Sequence, residues 1–144
     1  MSEPLKKPRG RIIRAACTYF ALVFGTGFVL GTIRVPFLVP RFGVRTAELL
    51  EMPLMLVAII VSARFVVRRL ELPQSRRRDA LAVGGIALAC LLVAELGVAR
   101  VLGATDPAAY LASRDPVSGT VYAIMLLVYA SMPAMIAHRL RSAR

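Results

Sequence analysis

Residues 80–102 read ALAVGGIALACLLVAELGVARVL. Between Asp79 and Arg100 this run carries a single charge, Glu95. Roughly 20 apolar residues in a helix cross the hydrocarbon core of a bilayer, so the run is long enough to span. A carboxylate inside it costs roughly 2.5–3.5 kcal/mol on insertion scales unless it is protonated or partnered. The stretch therefore predicts a membrane helix. It also predicts a polar group elsewhere in the fold that compensates Glu95.

The rest of the 144-residue chain is of the same kind. It is 58% hydrophobic with mean hydropathy +0.68, against about 45–50% apolar for soluble domains, and the excess falls in blocks. Four spans can be drawn, over residues 12–33, 47–67, 80–102 and 118–138. The expected fold is all-α: a single four-helix transmembrane bundle over residues 1–144, with a basic cytoplasmic tail over 1–11. The first span is apolar throughout. The fourth contains Pro133 near its end, which a membrane helix tolerates. The second is the unusual one. Its uncharged part, Met52 to Ala63, is too short to cross, and full length brings Glu48, Glu51 and Arg64 into the membrane zone. Arg64 lies one turn from Arg68 and can snorkel to the surface.

Charge sets the orientation. Of the 19 basic residues, fourteen fall in the N-tail (Lys6, Lys7, Arg9, Arg11, Arg14), the segment between spans two and three (Arg64, Arg68, Arg69, Arg76, Arg77, Arg78) and the C-tail (Arg139, Arg141, Arg144). Five fall on the other side: Arg34, Arg41, Arg45, Arg100 and Arg114. The positive-inside rule then puts both termini in the cytoplasm. In a soluble protein a net charge of +11 would point to nucleic acid. Here the basic residues flank apolar segments and no basic stripe is interleaved with stacking aromatics, so the expected partner is the lipid bilayer and not nucleic acid. The apolar stretch Ala15 to Ile33 exceeds a signal-peptide core and ends in no cleavage pattern, so it reads as a retained helix.

Two connections face the outside. The first, Arg34 to Thr46, reads RVPFLVPRFGVRT. Pro36 and Pro40 discourage a continuing helix, while Phe37, Leu38, Val39 and Phe42 are too apolar for a solvated loop. A segment lying in the membrane interface, or tucked against the helix ends, is expected. The second, Gly103 to Val117, carries the turn signals Asp106-Pro107 and Asp115-Pro116. Between them, Ala108 to Ser113 could form a short surface helix.

The candidate site is a polar intramembrane cluster at the outer end. Glu95 lies just beyond the middle of the third span, and Glu51 lies in the outer half of the second. Glu48 is a turn away on the same face as Glu51. Arg34, Arg41, Arg45 and Arg100 gather at this end. Two readings stay open. In one, Arg34 and Arg45 neutralise Glu48 and Glu51 and pin the loop to the helix ends, while Glu95 stays protonated and bonds a neighbour such as Tyr129 or Thr26. In the other, Glu51 or Glu95 faces a cavity and binds a proton, cation or polar ligand.

Helix packing is signalled by Gly27 and Gly31, a GxxxG pair in the first span. Gly85 and Ala89 in the third, and Ala130 and Ala134 in the fourth, repeat the small-xxx-small spacing, and packing inside the bundle is the expected use. Cys17 and Cys90 lie in apolar segments without metal-ligand spacing. His138, the one histidine, sits at the end of the fourth span. No nucleophile–base constellation and no phosphate loop are present. No enzymatic activity, metal or cofactor is expected.

The run Gly31-Thr32-Ile33-Arg34-Val35, followed by Val39-Pro40-Arg41 and by Arg45 through Pro53, resembles a family of small, uncharacterised bacterial inner-membrane proteins. The likeness covers the first two spans and their connection. It implies a four-span inner-membrane fold and no activity. The chain does not closely resemble the small multidrug-resistance transporters, whose essential carboxylate lies in a first span; this first span has none. The leading expectation is thus a non-enzymatic accessory or self-associating subunit of a bacterial inner-membrane system, as a homo-oligomer or within a larger membrane complex. The alternative is a small transporter or proton/cation-coupled channel using Glu95 and Glu51.

Overall fold

In the computed structural model the described residues are 8–69, 77–101, 103, 106, 109 and 115–142. They form helix α1 (Pro8–Ile33), a π-helical turn (Arg34–Leu38), α2 (Val39–Arg69), α3 (Arg77–Val101) and α4 (Pro116–Ser142), with no strand among them. Three helical stretches, Arg9–Arg69, Arg77–Val101 and Pro116–Ser142, are long and apolar enough to cross a membrane. The chain is therefore an all-α, membrane-spanning protein.

The first of these stretches is 61 residues long. Straight, it would extend about 90 Å, some three times the hydrocarbon thickness. It is instead folded on itself at Gly43, whose φ of 78° and ψ of 165° interrupt α2. That backbone region is open essentially to glycine alone. Beyond the reversal, α2 runs back along α1. Gly27 faces the Met55 side chain, and Arg34 meets Glu51.

This corrects the expectation of a non-helical loop over Arg34 to Thr46. Helix persists through both prolines. Pro36 falls inside the π-helical turn, the wider turn found as a local bulge in α-helices. Pro40 follows directly, as the second residue of α2, next to the Val39 N–H that closes the π-helical turn on the Arg34 carbonyl. The apolar character of the segment is kept: Val35, Phe37, Phe42 and Val44 are all exposed at this tip. The surface helix expected over 108–113 lies outside the described residues, apart from the helical Ala109.

The α3/α4 hairpin packs beside the α1/α2 hairpin, with α1 against α3 and α2 against α4. α1 and α4 meet across one diagonal through Tyr19 and Tyr129, whose rings stack at 4.6 Å. The core is lopsided. Its largest fully buried side chains include Tyr19, Val23, Val66, Val67, Val83 and Tyr129. Val66, Val67 and Val83 lie toward the end of the bundle that holds Pro8 and Ser142, and Tyr19, Val23 and Tyr129 lie near the middle. Toward the other end the buried residues thin out to Ala47, Ala99 and Ser118.

Two close approaches hold the packed end. A Cβ on Gly84 would lie 1.8 Å from the Ala130 carbonyl oxygen, so only glycine lets α3 and α4 come this near. The second involves Pro133, which is buried in α4. Proline has no N–H, so the carbonyl four residues back, on Tyr129, loses its helical donor. In a membrane interior an orphaned carbonyl costs free energy. The Tyr19 hydroxyl donates to that oxygen at 2.9 Å, which settles the backbone account of α4 from another helix.

Candidate polar site at the open end of the bundle

The thinly packed end holds both ion pairs, in two layers. The outer layer is at the start of α4. Asp115 precedes Pro116, and its Oδ1 accepts from the Val117 N–H at 3.0 Å and the Ser118 N–H at 3.1 Å. This is an N-cap followed by proline at the first helical position. Its Oδ2 accepts from Arg45, at 2.8 Å from Nε and 2.6 Å from Nη2. The guanidinium and, after it, the Ser118 N–H hold the Asp115 carboxyl below the usual carboxylate range. Arg45 therefore ties the start of α2 to the start of α4.

The inner layer lies about 10 Å deeper, six or seven residues along each helix at 1.5 Å per residue. Glu51 of α2 forms an ion pair with Arg34 at 2.9 Å, and the two side chains are only 11% and 24% exposed. Glu51 Oε2, the oxygen that Arg34 approaches, is itself buried. Glu48, a turn earlier, is half-buried. Its like charge works against a second anion at Glu51 and so makes Arg34 the more needed. On α3, Glu95 is half-buried and accepts a short hydrogen bond from the Tyr122 hydroxyl of α4. Both deep carboxylates are thus met from a neighbouring helical segment, Glu51 by a cation and Glu95 by a neutral donor.

Several expected assignments change. Tyr129 and Thr26 do not partner Glu95: Thr26 donates to the Leu22 carbonyl within α1 at 2.8 Å, and the Tyr129 hydroxyl is buried without a hydrogen bond. Of the two arginines anticipated for Glu51, Arg34 takes the position and Arg45 goes to Asp115. Arg41 and Arg100 are exposed, and neither joins an ion pair among the described residues. In the sequence Asp115-Pro116 marks a turn, and an aspartate directly before a proline and an apolar helical run is also an N-cap signature.

The glycine assignments also divide. Gly27 packs on Met55, at 3.4 Å from a Cβ position to Cε, while Gly31 and Gly85 have nothing within 4 Å. Within α3 it is Gly84 that packs inside the bundle; Gly85 and Ala89 face outward. His138 is exposed, as is Cys17. No group of residues able to hold a metal ion occurs among the described residues.

Chemically, the arrangement offers carboxylates that can carry a proton and a tyrosine that can donate one. No protein-family model, curated protein or solved structure matches the chain.

Proposed function

We propose that this protein is a non-enzymatic accessory or self-associating subunit of a bacterial inner-membrane system. It crosses the membrane four times, with the reversal at Gly43 separating the first two passes and both termini in the cytoplasm. The fourteen-to-five distribution of basic residues supports that orientation. The observation that carries the functional reading is how the polar and small residues are divided. The deep carboxylates have internal partners, Arg34 and Tyr122. The small-residue pair Gly85 and Ala89 on α3 is exposed, and a Cβ on Gly85 would meet nothing within 4 Å among the described residues. Small residues at such spacing let a second helix approach closely, which is how membrane helices associate without a hydrophobic driving force.

The test is cross-linking in native membranes. With Cys17 and Cys90 replaced by alanine, Ala89→Cys is expected to form a cross-linked product with a second copy or another membrane protein. Val29→Cys on the exposed side of α1 is the control. Equal cross-linking from both positions, or none from Ala89→Cys, would sink the proposal.

One observation favours a second reading, a small transporter or proton/cation-coupled channel. The carboxylates occupy the end of the bundle where the apolar core is thin, and Glu95 has a neutral partner in place of a cation. Glutamine at this position keeps hydrogen bonding and cannot titrate. In reconstituted vesicles, a proton or cation flux abolished by Glu95→Gln at unchanged thermal stability would establish this role, and a flux indifferent to it would remove Glu95 from it.

A further inference from the structure

Between α1 and α2, on the outside of the bundle, runs a groove of about 320 Å³ lined by Leu22 and Thr26 from α1 and by Ala58, Val61, Ser62 and Phe65 from α2. Its walls are mainly apolar, and Leu22, Val61 and Phe65 stay substantially exposed along it. The groove neither touches the carboxylate layers nor includes Gly85 or Ala89. It begins near the middle of the helices and runs toward the end that holds Pro8 and Ser142.

That end of the groove is charged. On α2, residues 58, 61, 62 and 65 form one helical face, and the same face one turn on carries Arg68 and Arg69. Arg69 is turned onto the groove, with its guanidinium carbon 5.9 Å from the centroid of the Phe65 ring. On α1 the row through Leu22 reaches Arg11 three turns earlier, and Arg14 stands one turn closer. An apolar channel thus ends in a group of arginines with no acidic side chain paired to them among the described residues.

The dimensions agree with one occupant. From Ala58 to Arg69 the helix rises about 16 Å. The hydrocarbon thickness of a single leaflet is about 15 Å. A chain lying in the groove with its head at Arg69 would end at the bilayer midplane, where the groove ends. We propose that this groove is a binding site for one anionic glycerophospholipid of the leaflet on the side of the termini. One acyl chain lies along Leu22, Val61 and Phe65, and the phosphate sits at Arg68 and Arg69. Basic pockets between membrane helices recognise anionic headgroups in this way. A partner helix would fill the apolar channel equally well but would leave the arginines without a counter-charge.

Native mass spectrometry of the intact chain, released from detergent micelles doped with phosphatidylglycerol or phosphatidylcholine, tests the site. The wild-type protein is expected to retain one phosphatidylglycerol in roughly tenfold preference to phosphatidylcholine. Val61→Trp and Leu22→Trp fill the groove from opposite walls at exposed positions, so neither removes a buried contact. Each is expected to lose the retained lipid. Arg68→Gln with Arg69→Gln should lose the headgroup preference, whereas Arg139→Gln with Arg141→Gln, at the same end on α4, should keep it. Retention of phosphatidylglycerol by both tryptophan variants would overturn the proposal. So would a loss of preference in the α4 variant as large as in the α2 variant.

Discussion

The bond from Tyr19 to the Tyr129 carbonyl makes a demand that can be measured. The bond exists because Pro133 denies that carbonyl its helical donor. Tyr19→Phe removes the hydroxyl and keeps the ring, so the stack on Tyr129 at 4.6 Å survives. What is lost is the single donor to a buried oxygen. Leaving such a group unsatisfied costs about 1–3 kcal/mol in general, and hydrogen bonds between membrane helices lie at or below about 1.7 kcal/mol. A loss of about 1–1.5 kcal/mol is therefore expected. Pro133→Ala restores an N–H four residues after Tyr129, which can close the helical bond to the same carbonyl. In that background Tyr19→Phe should cost less than about 0.5 kcal/mol, a coupling of about 1 kcal/mol. The assay is equilibrium unfolding in mixed micelles with rising sodium dodecyl sulfate, on the two single variants and the double. Additivity within about 0.3–0.5 kcal/mol would refute the reasoning, because the tyrosine would then not be compensating for the proline.

Neighbouring glycines of α3 should respond with opposite sign. Gly84→Ala forces α3 and α4 apart, since its Cβ would sit 1.8 Å from a backbone oxygen, and should destabilise by about 2–3 kcal/mol; Gly85→Ala meets nothing and should be neutral or gain up to about 1 kcal/mol, both read as shifts in unfolding midpoint. Glu51→Gln and Arg34→Gln should each lower the melting temperature in detergent, and the double variant should recover part of the loss, because each single change strands a buried partner; strictly additive losses would deny the pair. The Arg45–Asp115 link gives a pH dependence. Its depressed carboxyl pKa means the contribution is complete above the ordinary carboxylate value and is lost as pH falls through the lower folded value. The stability difference between wild type and Asp115→Asn should therefore be constant near neutrality and shrink in acid; a difference that grows as pH falls would contradict the assignment.

Much of this architecture is legible in the chain. Apolar blocks of spanning length announce the helices, and Glu95 announces that some other helix must answer it. The identity of that answer is not legible. Tyr122 and Tyr129 are seven residues apart and lie on the same face of α4, so periodicity admits both; the antiparallel register of α3 and α4 selects Tyr122. Gly84 and Gly85 differ by about 100° around α3, and only the neighbour at Ala130 determines which of them is pressed inward. The prolines at 36 and 40 carry a true local signal against helix. It is overridden where the helix widens into a π-turn at Pro36 and runs on past Pro40, leaving Gly43 to make the reversal. Arg45 and Asp115 are seventy residues apart in sequence, and local pattern holds no information on such a pair.

In the proposed arrangement one chain passes through the membrane four times, with the paired carboxylate layers at one face and both termini at the other. Single cysteines in a background lacking Cys17 and Cys90, labelled with a membrane-impermeant maleimide, test it most directly. Val44→Cys and Ala109→Cys should react in intact cells once the outer membrane is permeabilised. Arg77→Cys and Ser142→Cys should react only after the inner membrane is lysed. Labelling of Arg77→Cys on the same side as Val44→Cys, or of Arg77→Cys and Ser142→Cys on opposite sides, would contradict the four-pass arrangement.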